Sequence, residues 1–247
     1  LLVALIAGLL AGMVTGLLHT FMGIPAILAG ILTQLSLYSV NLKIMGKANQ
    51  AINVDKYDLL VSLRYIKGVP FYRNTILIVA VLMVVVIAIL YWFFGTEIGA
   101  SIRATGCNQN MSRAQGINTN ITKVLALVIS NGIVALSGAL LAQYLGNADI
   151  NMGRGAIVIG LAAVIIGNAL FSRIAKNFAV KLLTVIVGGV IYYLVYQTVI
   201  YLGLDADLLK MLSALVVAVF LAVPYWKKKY FSRRKPAKNV KGENDRA

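Results

Sequence analysis

The chain of 247 residues is 60% hydrophobic, and only 13% of its residues are charged, whereas soluble domains carry about 25%. These values exclude a soluble domain with a large core and indicate a polytopic membrane protein. The net charge of +15 does not indicate nucleic-acid binding, because the basic residues lie between and after apolar segments, where they face water or lipid headgroups.

Seven apolar segments approach the roughly 20 residues that a helix needs to cross a bilayer core. They lie near 1–18, 21–40, 74–95, 121–146, 155–171, 180–203 and 208–226. The segment 155–171 is short and rich in glycine, so a broken or re-entrant helix is the alternative to a full crossing. Pro25 predicts a kink in the second segment, because proline removes a helix hydrogen bond. The sequence predicts an all-α polytopic membrane protein with about seven spans.

The first residue, Leu1, already lies inside an apolar run. No charged segment or cleavage site precedes this run, so it is not predicted to be a signal peptide. We therefore expect an N-terminally incomplete chain, which a further helix would precede.

The distribution of Lys and Arg predicts which segments share a side of the membrane. With the basic tail 227–247 in the cytoplasm, the segments on its side contain 15 basic and 3 acidic residues. The segments on the other side contain 8 basic and 5 acidic residues. This excess predicts that the loop 96–120 and the tail are cytoplasmic, in a multi-pass protein of a bacterial plasma membrane. The segment 41–73 is predicted to be a solvated outer loop with a short strand near Leu59–Ile66; a docking surface for an external partner is the alternative.

One apolar phrase recurs without a gap after 130 residues: Met22–Gly30 reads against Met152–Gly160, and Gly16 against Gly146. Under the predicted orientation the two copies begin on helices of opposite direction. The sequence therefore predicts an inverted-topology repeat, with repeat one at about 1–95 and repeat two at about 121–226. Chance similarity between two glycine-rich apolar segments is the alternative.

The polar loop 96–120 has the organisation of a helix–turn unit. Ile98–Ala104 predicts a short amphipathic helix, and Gly106 and Asn108 suit its end and a turn. Glu97 is placed to favour the helix dipole, or is a solvated boundary charge. Joined to two membrane helices, such a unit could pass motion from a soluble motor into the membrane.

The spacing of residues in this loop resembles a known family. The pattern Gly-x-x-x-Arg-Ala-x-Gly-x-Asn, followed by Ala-x-Gly-Ile, is present as Gly99, Arg103, Ala104, Gly106, Asn108, Ala114, Gly116 and Ile117. It is similar to the coupling loop of ABC importer permeases, in the group that includes branched-chain amino acid and ribose permeases. The stretches 151–167 and 16–25 resemble two further signatures of that group. Within it the chain looks most similar to a branch that imports aromatic amino acids or related small molecules.

This resemblance implies a permease subunit of an ATP-driven importer for a small solute such as an amino acid or sugar. Separate cytoplasmic ATPase subunits would bind ATP and Mg²⁺, an extracellular binding protein would deliver solute, and a second permease chain would complete the path. The loop residues of the pattern, with Glu97, would couple to the ATPase, and Arg103 would anchor the loop or pair with an acid there. The chain has no Gly-x-x-x-x-Gly-Lys-[Ser/Thr] loop, so no cofactor is expected on it.

The candidate lining residues of a translocation path are Gln34, Asn131, Gly153 and Gly155. Hydrogen bonding between helices is the alternative for the two amides. The glycines of α-helical spacing, Gly8, Gly12 and Gly16, predict close helix packing or a gate, and Gly188–Gly189 would loosen its span. No cluster of Cys, His and carboxylates predicts a metal site, and no nucleophile–base arrangement predicts an enzyme.

Two other functions compete with the importer. A secondary transporter could use inverted repeats without an ATPase, but no Asp, Glu or Arg lies near a span centre, where proton- or sodium-driven carriers often have one. A membrane scaffold that transports nothing is the third hypothesis. The pattern in the loop 96–120 favours the first.

Overall fold

The computed structural model describes residues 1–53, 59–61, 74–153, 156–171 and 177–201, with single residues at 211, 218 and 222. The chain forms two compact units, Leu1–Arg154 and Gly155–Ala247. The first contains α1 (Leu2–Thr20), α2 (Ala26–Met45), β1 (Asn49–Ala51), α3 (Thr75–Gly95), α4 (Glu97–Cys107), α5 (Gln109–Ala114), α6 (Thr119–Leu145) and β2 (Asn147–Asp149). The second contains α7 (Ala156–Phe171) and α8 (Phe178–Tyr201).

The helices confirm the polytopic, helical membrane architecture. Within the described residues, five helices are long and apolar enough to cross a membrane: α1, α2, α3, α6 and α8. The predicted span 208–226, apart from three isolated residues, and the tail 227–247 lie outside the described residues. The described part therefore contains six of the seven predicted spans, counting the shorter α7.

The kink expected at Pro25 is wrong, and α7 has no break over 156–171, while a re-entrant course for this short segment stays a prediction. Pro25 does not kink a helix, because it occupies the N-cap position and α2 begins one residue later. There proline costs no helix hydrogen bond. The helix α7 is continuous over 16 residues, a length of about 24 Å, compared with about 30 Å for a bilayer core.

Helices α1 and α6 pack closely in antiparallel directions. Residue numbers rise along α1 while those of its partners on α6 fall: Gly8 lies against Gly132, Gly12 against Val128 and Gly16 against Val124. A methyl group at Gly12 would lie 2.7 Å from the Val128 Cα. This row of three glycines thus serves packing, as glycines commonly do between membrane helices. The antiparallel direction is the one that an inverted repeat requires; the repeat itself stays a prediction.

Polar contacts hold α2 and the turn before it on α1. The Thr15 hydroxyl donates to the Thr33 hydroxyl over 2.9 Å, and both side chains are buried. At the end of α1, His19 Nδ1 lies 2.7 Å from the carbonyl oxygen of Ile24. Because that carbonyl can only accept, this nitrogen carries the proton. His19 therefore holds the α1–α2 turn, in which Gly23 has φ +67°.

A small antiparallel sheet joins the chain after α2 to the chain after α6. Asn49 pairs with Asp149, and Ala51 with Asn147. The strand predicted near 59–66 is wrong for 59–61, which are not in a strand, and 62–66 lie outside the described residues. The pairing places two segments that the charge distribution assigns to one side of the membrane at the same end of α6, which we call the sheet end.

In the second unit, α7 and α8 form an antiparallel pair. Gly167 lies against the Thr184 backbone, and Gly188 against the carbonyl of Ala163. Gly188 therefore permits this close contact, and the expectation that Gly188–Gly189 loosens the span stays a prediction. Beside this crossing, Tyr192 is buried with Ala162 and Ile166.

Candidate functional site

Helix α4 begins in a tight turn directly after α3. The N-cap is Thr96: its hydroxyl accepts from the Gly99 N–H at 3.3 Å and donates to the Phe93 carbonyl at 2.6 Å. A side chain at Gly99 would overlap the backbone of Phe93 and Phe94. Gly99 is therefore required for the approach of α4 to α3. The capping bond comes from Thr96, whereas Glu97 lies exposed in the first turn, where a carboxylate favours the helix dipole.

A second short helix, α5, continues the segment. Its N-cap Asn108 accepts from the Met111 N–H at 3.1 Å. The helix end expected at Gly106 and Asn108 is confirmed within one residue, because α4 ends at Cys107 and Asn108 is its C-cap. The left-handed residue is Gly116, with φ +79°.

The end of α5 is a Schellman motif. The Gly116 N–H donates to the Arg113 carbonyl, and the Ile117 N–H to the Ser112 carbonyl, both at 3.0 Å. Ala114 is the last residue of α5 and is exposed. Gly116 and Ile117, both part of the loop pattern, thus form the hydrogen bonds that end α5.

The segment is fastened to the first turns of α6. The hydroxyls of Thr105 on α4 and Thr122 on α6 lie 3.1 Å apart, and both residues are buried. Arg113 Nε donates to the Thr119 hydroxyl over 2.9 Å. Asn118 caps α6 by accepting from the N–H groups of Asn120 and Ile121. We call this the loop end of α6; it lies opposite the sheet end, about 40 Å away over 27 residues.

The side of α4 that faces away from α6 is exposed. It comprises residues spaced by three or four positions, which share one side of a helix: Glu97, Ala100, Arg103, Ala104 and Cys107. Buried Thr105 lies on the side that faces α6, and buried Gly99 lies against the end of α3. This set, the exposed face of α4, presents one cation, one anion and small side chains that leave room for a partner surface. It contains three of the predicted coupling residues.

The three predicted lining residues that the structure describes lie on separate elements. Gln34 is exposed on α2, and Gly153 is exposed in the turn after β2 with open space around it. Asn131 lies at the α1–α6 contact, where its amide nitrogen donates to the Leu127 carbonyl at 2.9 Å. Gly155 lies outside the described residues. Asn131 thus has the packing environment of the alternative interpretation, and its role in a path stays a prediction, as for the other three.

Sequence reasoning missed the hydroxyl side chains that fix the segment: Thr96, Thr105, Ser112, Thr119 and Thr122. Four of the five are buried, and Thr96 is partly exposed. A signal existed in the Thr96 to Gly99 spacing, which is typical of a helix N-cap. The Thr105–Thr122 contact has no such signal, because its partners are 17 residues apart on different helices.

Known proteins of one family are similar to this chain over most of its length. The profile of the family described as "Branched-chain amino acid transport system / permease component" matches residues 1–224. A tyrosine transport system permease protein of Clostridioides difficile is 38% identical over 222 residues, which cover 90% of this chain and 71% of that protein. No solved structure is significantly similar.

Two further relatives extend this result. An uncharacterized Rickettsia prowazekii protein, RP368, is 34% identical over 89% of this chain and 78% of its own length. The autoinducer 2 import system permease protein LsrC of Yersinia pestis is 28% identical over 66% of this chain and 45% of its own length. The profile covers every described residue, which confirms the resemblance found in the loop, and the chain belongs to the family of branched-chain amino acid transport system permease components.

Proposed function

We propose that this chain is the membrane-spanning permease subunit of an ATP-driven importer for an amino acid, with tyrosine as the solute to test first. A separate cytoplasmic ATPase would act on the exposed face of α4. The solute assignment rests on the C. difficile relative, whose name describes tyrosine transport. The import direction rests on LsrC, whose name describes an import system.

The observation that carries the proposal is the mounting of α4 and α5. A passive connection between α3 and α6 would need neither a buried Gly99 nor the buried Thr105–Thr122 contact. Two capped helices held to membrane helices at both ends form a stiff element. A force on the exposed face of α4 would therefore move membrane helices instead of bending a loop.

The remaining partners follow from the same arrangement and the family. An extracellular binding protein would deliver solute on the side of the β1–β2 sheet, opposite the loop end of α6. A second permease chain would complete the path across the membrane. ATP and Mg²⁺ would be bound by the ATPase, the lipid bilayer would cover the exposed apolar side chains, and nucleic acid has no part in the cycle.

The test is reconstitution of the full-length protein in proteoliposomes with a purified candidate ATPase and a candidate solute-binding protein. Tritiated tyrosine uptake and ATP hydrolysis are measured together. The substitution Ala104→Glu adds a charge and bulk to the exposed face of α4, and we expect ATP-dependent uptake to fall at least tenfold. Asn120→Glu is the matched control. It adds the same charge at an exposed position of the loop end of α6, outside the exposed face of α4.

Two results would contradict the proposal. Tyrosine uptake of equal rate without the ATPase would identify a secondary transporter. Labelling of Cys107, which is exposed on α4, by an impermeant maleimide added outside intact cells would place this face on the wrong side for a cytoplasmic ATPase. We expect Cys107 to react only after the membrane is opened.

A further inference from the structure

We propose that the Thr105–Thr122 hydroxyl pair is the positioning contact through which displacement of α4 moves α6, and with it α1, as one body. The inference rests on the proposed function, because it names the helices that receive the force. It assigns no contact with solute or ATP to either threonine.

The pair is built to hold two helices together without leaving a polar group unsatisfied. The two hydroxyl oxygens lie 3.1 Å apart in a buried contact. Thr105 also reaches the Ser101 carbonyl at 2.8 Å, and Thr122 the Thr119 carbonyl at 3.1 Å. Whichever hydroxyl donates across the interface, the other can donate to its own helix, so the contact needs no water.

A second contact next to the pair fixes the same end of α6. Arg113 Nε donates to the Thr119 hydroxyl at 2.9 Å, and Thr119 is 2% exposed. The α4–α5 segment is thus attached to the first turn of α6 by two residues, one on α4 and one on α5. A single attachment would leave α4 free to rotate about it, whereas two attachments transmit rotation as well as translation.

The next step of the path is the α1–α6 packing. Gly8, Gly12 and Gly16 bring α1 against α6 over the length of α1, and an added methyl group at each would overlap or crowd α6. In contrast, α3 packs appreciably only on α4 among the described elements. Because close-packed helices do not deform continuously, α6 and α1 follow α4 together, while α3 is not braced in the same way.

The first experiment removes the hydroxyls without changing side-chain shape. Thr105→Val and Thr122→Val, singly and together, are reconstituted as above, and tyrosine uptake is expressed per ATP hydrolysed. We expect each single variant to lower this ratio about fivefold, the effect of one hydrogen bond, while ATP hydrolysis continues. The double variant should be no worse than the singles, since both act through one contact. Thr20→Val is the control, because its hydroxyl donates to the Gly16 carbonyl of its own helix.

The second experiment joins α4 to α6 covalently. Thr105→Cys with Thr122→Cys is made in a Cys107→Ser background, and the disulfide is formed by an oxidant. If α4 and α6 move as one body, the oxidised protein keeps the uptake per ATP of the same background within twofold. A loss on oxidation that reductant reverses would show that the helices must separate, and would overturn the inference.

The outcomes distinguish this inference from the proposed function. If wild-type protein shows no ATP-dependent tyrosine uptake, the proposed function fails and takes the inference with it. If wild-type protein is coupled and the valine variants keep its ratio, only the inference fails.

Discussion

Two contacts between apolar helices in the described part of the chain depend on glycine, but they distribute it differently. In the first unit, α1 contributes Gly8, Gly12 and Gly16, which spread the contact with α6 over more than two turns. In the second unit, α7 and α8 each contribute one glycine to a single crossing, Gly167 and Gly188. The first contact divides its packing among several positions, whereas the second concentrates it where two backbones meet.

The difference predicts different sensitivity to substitution. Lipid tails are as apolar as the side chains at a helix contact, so the hydrophobic effect does not drive membrane helices together. They associate largely through close packing and interhelical hydrogen bonds. A row of glycines can lose one position and retain the others. A crossing with one glycine on each helix has no such reserve.

The largest effect is expected at the α7–α8 crossing. A methyl group at Gly188 would overlap the Ala163 carbonyl and lie 2.7 Å from the Gly167 nitrogen. Gly188→Ala should therefore lower the free energy of unfolding by about 3 kcal/mol, the upper range for an overpacked site. Reversible denaturation in mixed detergent micelles measures it. The neighbouring Gly189→Ala is the control, because its nearest contact would be a methyl group at 3.7 Å; equal losses for both would contradict the crossing.

A smaller loss is expected in the middle of the α1 glycine row. Gly12→Ala would place its methyl group 2.7 Å from the Val128 Cα, at a cost of about 2 kcal/mol in unfolding free energy. Gly138→Ala on α6 has open space around it. That variant should be unchanged or more stable by up to about 1 kcal/mol, from helix propensity. If Gly138→Ala were the more harmful change, the assigned face of α6 would be wrong.

The end of the same row should be more tolerant still. A methyl group at Gly16 would lie 3.0 Å from the Val124 Cα, so a shift of a few tenths of an ångström relieves the contact. Gly16→Ala should cost about 1 kcal/mol in unfolding free energy. The measurement is the same denaturation series, with Gly12→Ala beside it. A cost at Gly16 that equals or exceeds the cost at Gly12 would mean that no such shift relieves the Gly16 contact.

The smallest effect is expected for the polar contact that accompanies the row. Thr15→Val removes the hydroxyl that donates to Thr33 and keeps the side-chain shape. Interhelical hydrogen bonds in membranes contribute about 0.6 kcal/mol on average, so the unfolding free energy should fall by that amount. Thr198→Val in α8, whose hydroxyl donates only within its own helix, is the comparison. A loss above that at Gly12 would show that hydroxyls, not glycines, hold α1.

Much of the fold could be predicted, because hydropathy depends on local composition. The ends of α1, α3, α6 and α8 lie within a few residues of the predicted spans. The effect of Pro25 was mistaken, because a proline that opens a helix and one that kinks it have the same composition around them. The position of β1 was missed because its partner lies almost a hundred residues away in the chain.

Less of the candidate site could be predicted. The pattern in the loop located the segment, but it could not separate residues that shape the segment from residues that face a partner. Gly99 and Gly116 shape it, through a close approach and a positive φ, whereas Arg103 and Ala104 are exposed. Which residues shape the segment and which face a partner depends on the side of each helix that is covered. Helix α4 is covered by α3 and α6, and its own sequence does not specify these contacts.

The two-stranded sheet limits how α6 can move. Its register, Asn49 with Asp149 and Ala51 with Asn147, ties the end of α6 to the chain that leaves α2. A slip of the pairing by one residue would break the hydrogen bonds between the strands and move side chains to the opposite face of the sheet. Displacing this end of α6 along the strands is therefore costly, because the pairing with the chain after α2 would have to break.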